Sequence, residues 1–75
     1  MRYVRKVMQI LDQAIWIGVE FDEWSGLDPD AILGPGYLRV DHLSDEEVRE
    51  TYQFEDFIHL GTSEDEVTDA LERIG

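Results

Sequence analysis

The residues with the clearest chemical spacing in this 75-residue chain are carboxylates: Asp65, Asp69 and Glu72 follow i, i+4, i+7 steps, and Glu46 and Glu50 repeat the i, i+4 step, with Asp45 and Glu47 beside them. On a helix the first series forms a row rising about 6 Å and then about 4.5 Å along the axis. Phosphates along a strand of B-DNA carry comparable charge spacing, so rows held rigidly can occupy a surface built for a nucleic acid backbone. Acids in a first helical turn have a simpler explanation, since the helix dipole stabilises them by about 0.3 to 1 kcal/mol. That covers Asp45 to Glu47 and Glu64 to Glu66, but it does not cover Glu50, Asp69 or Glu72, which fall in later turns.

The whole composition points the same way. Eighteen Asp and Glu against six Lys and Arg give a formal charge of −12, beyond the magnitude of roughly 2 to 8 that suits a small soluble domain. The charge is also segregated: Arg2, Arg5 and Lys6 precede any acid, whereas the chain from Asp12 onward sets all eighteen acids against Arg39, Arg49 and Arg73. This asymmetry predicts either a cationic partner or an internal clamp of the basic end on the acidic body. Halophilic adaptation is a further source of such acidity, recognised by stability that climbs steeply with salt.

Other chemistries have weaker support. Asp28-Pro29-Asp30 followed by Gly34 departs from a calcium loop after its third position. His42 beside Asp41 and Glu46 is a lone histidine among carboxylates, and His59 has no fixed relation to it. Ser25 is a loop residue, Ser44 and Ser63 are helix caps, and Gly34-Pro35-Gly36 lacks the lysine and following helix of a phosphate cradle. No catalytic residue, metal or cofactor is therefore assigned, and the chain is expected not to be an enzyme. The segment FEDFIHLGTSEDEVTDALERIG resembles the stretch of acyl carrier proteins in which an acidic lead, Leu-Gly and a serine precede an acid-rich helix, which would imply phosphopantetheine attachment at Ser63. Thr62-Ser63-Glu64 stands where that family has Asp-Ser-Leu, and capping is retained as the role of Ser63.

The elements that must position these groups follow from pattern. Val4, Val7, Met8 and Leu11 recur at three- and four-residue steps, predicting a first helix over about Tyr3 to Gln13, with a strand in hairpin as the alternative. Ile15, Ile17, Val19 and Phe21 alternate with polar or aromatic residues and predict a strand. Trp24 to Gly36 reads as a connector with at most one turn of helix around Pro29 to Leu33, and Tyr37 to Leu43 as a second short strand with Leu38 and Val40 on one face. Ser44 and Glu47 form a capping box that starts a helix to about Tyr52, and Ser63 and Glu66 form a second one for a helix ending at Gly75. Residues 54–60 fit either a third strand or an extension of the helix before them.

These elements predict one small α+β domain, residues 1–75, with a short sheet packed by two or three helices; a mainly α arrangement is the alternative. A chain of this length buries only about 60% of the surface its unfolded form exposes, which argues against a deep catalytic cleft. No cysteine is present, as expected of a cytoplasmic protein. Basic Arg2, Arg5 and Lys6 ahead of Val7 to Leu11 imitate a secretory leader, but Gln9 and Asp12 interrupt it, and membrane binding is not expected. The function expected is a small acidic inhibitor of a basic, nucleic acid-binding enzyme or effector, of phage anti-defence, antitoxin or immunity type, with no direct binding of nucleic acid. Glu46, Glu50, Asp65, Asp69 and Glu72 would act as phosphate substitutes and Trp24 as an anchor. Trp16, if exposed, would join Glu20 and Asp22 in a surface suited to an arginine-rich partner. The competing expectation is a structural subunit, a possible homodimer, in which another copy completes the Ile15 to Phe21 face.

Overall fold

In the computed structural model, which describes residues 1–74, the N-terminal segment is a strand and not the expected helix. Strand β1 (Arg2–Ile10) pairs antiparallel with β2 (Gln13–Glu20) through the two residues Leu11 and Asp12. The helix-like spacing has a local cause. Lys6 faces Trp16 and Met8 faces Ile15, so Val7 is an extra residue, a β-bulge that resets the alternation midway along the strand. Before the bulge, the consecutive residues Tyr3 and Val4 are both buried, as a sheet covered on both faces requires.

The expected strand at Ile15 to Phe21 corresponds to β2. Downstream come α1 (Pro29–Leu33), β3 (Tyr37–Arg39), α2 (Asp45–Tyr52), β4 (Phe57–His59) and α3 (Glu64–Ile74). The ambiguous stretch 54–60 thus supplies a strand, and the end of the last helix at Gly75 lies outside the described residues. β3 is shorter than the span to Leu43 because the Val40 amide donates to Arg2 O, at the start of β1, after which Leu43 turns back onto Val40 O. Strand order is β3-β1-β2-β4, with β3 antiparallel to β1 and β4 parallel to β2. The chain is therefore an α+β protein, with a four-stranded mixed sheet and three helices among the described residues, and the mainly α alternative does not hold.

Helices cover both sheet faces. On one, Tyr3, Val19, Phe21 and Leu60 pack with Val67 of α3, and Ile32 and Leu33 of α1 close the edge. On the other, Val4 and Val40 pack with Val48 of α2 beneath Trp16, Tyr52, Phe54 and Phe57. Each fully buried apolar side chain contributes about 1.5 to 3 kcal/mol, so two thin cores of this size hold the fold. Glycine is required at Gly18 of β2, where a Cβ would lie 2.5 Å from the Phe54 ring and 2.9 Å from Phe57.

The hairpin outruns its neighbours. β3 pairs only with Tyr3 to Arg5, and β4 only with Gly18 to Glu20. The distal half, from Lys6 to Ile17, is a two-stranded arm whose outer backbone edges pair with no other strand among the described residues. It contributes to an elongated molecule of 39 × 25 × 18 Å.

Candidate acidic surfaces

The capping boxes orient the acidic rows. At α2, Ser44 Oγ accepts from the Glu47 amide at 3.2 Å and the Ser44 amide donates to Glu47 Oε1 at 3.3 Å, completing the box. Val48 then points into the sheet, and Glu46 and Glu50 are exposed on the outer side. At α3 the box is half formed: Ser63 Oγ accepts from the Glu66 amide at 3.4 Å, but the Glu66 carboxylate accepts from the Ser63 hydroxyl and not from its amide. Val67, Ala70, Leu71 and Ile74 face the core, which leaves Asp65, Asp69 and Glu72 exposed.

Two features of the fold change what these rows can do. Because α2 and α3 cover opposite faces of the sheet, Glu46 and Glu50 do not join Asp65, Asp69 and Glu72 in one continuous surface. In addition, Asp69 is ion-paired with Arg73 one turn on, so Asp65 and Glu72 are the members of that row without a cationic partner among the described residues.

The internal clamp exists, and Arg2 makes it. The Arg2 amide donates to Asp41 Oδ1 at 2.8 Å, and its guanidinium pairs with Asp45 and donates to Leu43 O. Arg39 Nε donates to Asp41 Oδ2 at 2.5 Å. Burial pushes the Asp41 carboxyl up, but the bonds from Arg39 and from the Arg2 amide, with the nearby α-ammonium and the Arg39 charge, outweigh it and hold Asp41 below the usual carboxylate range. Arg49 pairs with Asp56, and Arg5 lies over the Tyr37 ring at 5.7 Å. Every arginine is thus engaged within the chain, while Glu46, Glu50, Glu55, Asp65 and Glu72 have no ion-pair partner among the described residues. The surface left for other molecules is negative.

The aromatic residues take structural positions. Trp24 is half-buried with its ring 6.0 Å from Phe21, inside the first core, and forms one wall of a cleft of about 270 Å³ with Met1 and Leu27. Trp16 meets Tyr52 edge-on at 4.7 Å beneath α2, so it does not join Glu20 and Asp22 in an exposed surface. The Ile15 to Phe21 face is largely covered by the chain itself, with Val19 and Phe21 buried. Among the described residues no three His, Asp or Glu side chains converge on a point where a metal could sit, and no helix is long and apolar enough to cross a membrane.

The sequence reading missed the exposed arm. Val7, Met8 and Ile10 are about half exposed, and Leu11 at the turn is 94% exposed. The signal was present in the unbroken pair Val7-Met8, which marks the bulge, but it is indistinguishable from helical spacing until the strand partners are known. No family model matches the chain, and no curated protein or solved structure shows significant similarity to it.

Proposed function

We propose that this chain works by binding and not by catalysis, as a small acidic inhibitor, inside the cell, of a basic nucleic acid-binding protein, whose phosphate-binding groove it occupies. The observation that carries this reading is the pairing pattern: all five arginines are engaged internally, while the outer faces of two core-anchored helices keep carboxylates with no ion-pair partner among the described residues. Fixed carboxylates on a packed helix present charge without the ordering cost that a flexible acidic tail would meet on binding. Because the two rows face apart, one partner groove engages one row. Glu46 and Glu50 on α2, beside Glu47, form the less compensated of the two, and Asp65 and Glu72 form the other. Trp24, committed to the core, is not needed as an anchor in this arrangement.

The test is a tagged pull-down at low salt, challenged in parallel with high salt and with excess DNA. Recovery of a basic nucleic acid-binding protein that both challenges release is the expected result. The double reversal Glu46→Lys/Glu50→Lys should weaken that capture by roughly tenfold or more, mainly through slower association. Capture that survives reversal of both rows, with Asp65→Lys/Glu72→Lys added, overturns the reading.

A further inference from the structure

We propose that the distal half of the β1–β2 hairpin is the contact through which two copies of this chain associate, a property separate from the acidic-surface reading. The first observation is Leu11. It holds φ 55° at the first central position of a two-residue hairpin turn, where glycine is the usual occupant, and it is 94% exposed. A left-handed conformation is strained for an L side chain, and Leu11, outside both cores, recovers none of that cost by burial. With Val7, Met8 and Ile10 also exposed, the arm presents apolar surface that the helices of its own chain do not reach.

Charge identifies what covers it. Lys6 to Ile17 contains Lys6 and Asp12 as its charged residues, so the arm is formally neutral while the remainder carries the whole −12. A surface that meets itself across a two-fold axis must tolerate its own charge, which the acidic helices do not and the arm does. A cationic protein drawn to the helices finds no complement on the arm, and an anionic one is repelled by the body.

Backbone geometry supplies the arrangement. The bulge at Val7 turns the β1 edge away from pairing. The β2 edge at Gln13 to Ile17 is uncharged and opens onto a groove of about 400 Å³ walled by Trp16, Ile17, Phe54 and Ile58, and also lined by Glu55 and by Asp56, whose charge Arg49 offsets. When two such edges pair antiparallel about Ala14, Leu11 of each copy arrives beside Ile17 of the other, at the mouth of that groove.

Sedimentation equilibrium of the full chain, over roughly 1 µM to 1 mM, tests this. The mass should rise from 8.7 kDa toward twice that value. Association should be roughly tenfold or more tighter at about 1 M salt than at about 0.01 M, because the screening length falls from about 30 to about 3 Å and the acidic bodies repel less. Binding of a basic partner has the opposite salt dependence, so the two readings fail separately. Leu11→Gly should remain folded by circular dichroism and denaturation while dimerisation weakens roughly tenfold or more. Ile58→Glu, on the exposed groove wall, should do the same, and Glu50→Lys should leave the dimer intact. A monomer at every concentration and salt, or a dimer indifferent to both Leu11→Gly and Ile58→Glu, overturns the proposal.

Discussion

Asp41 accepts from both ends of the clamp, the Arg2 amide and the Arg39 guanidinium, and ties the start of β1 to the loop that leads into α2. Its carboxyl is held below its ordinary range in the folded chain. The stability it contributes is therefore complete above the unfolded value near pH 4 and is lost as pH falls through the folded value. Asp41→Asn should lower stability by about 1 kcal/mol at pH 7, a figure kept small because a third of the side chain is exposed. The gap between variant and parent should narrow as pH falls below about 4, measured as paired urea denaturation across pH. A gap that stays constant with pH would mean the bonds to Asp41 are not charge-assisted.

At the scale of elements, the β1–β2 hairpin organises everything else, because both cores use its residues and both outer strands add to it. Its tightest point is Gly18, which lets the Phe54 and Phe57 rings, 4.9 Å apart and edge to face, close against β2. Gly18→Ala should destabilise the chain by about 1 to 3 kcal/mol, since the added methyl displaces a ring and not a flexible chain end. Chemical denaturation reads the effect directly, and a neutral result would mean that the Phe54 ring is free to move. The starts of α2 and α3 were legible in the sequence, because Ser44 with Glu47 and Ser63 with Glu66 act locally. β1 was not legible, because one extra residue at Val7 converts a period of two into three- and four-residue steps. β4, three residues long, owes its strand conformation to pairing with Gly18 to Glu20 more than to its own pattern.

At the scale of the whole molecule, a charge of −12 on a body with engaged arginines is a standing cost of compaction. The chain should be folded at about 0.01 M salt, held by its two cores, and its thermal midpoint should rise gradually toward about 1 M as repulsion is screened. Monitored at low protein concentration, where association is absent, a chain unfolded at the lower salt would mark the acidity as a halophilic adaptation. Sequence by itself determined the sign of the surface, both capped helices, the β2 strand and the α+β class, because composition, caps and alternation act over a few residues. Only the tertiary structure decided that the two acidic rows face apart, that Arg73 consumes Asp69, that Trp24 and Trp16 serve the cores, and that Val7 to Leu11 at the tip of the hairpin are left exposed. Each of those depends on which face of the sheet a helix covers or on how far one strand outruns its partner, and such long-range placements are set by packing between segments distant in the chain.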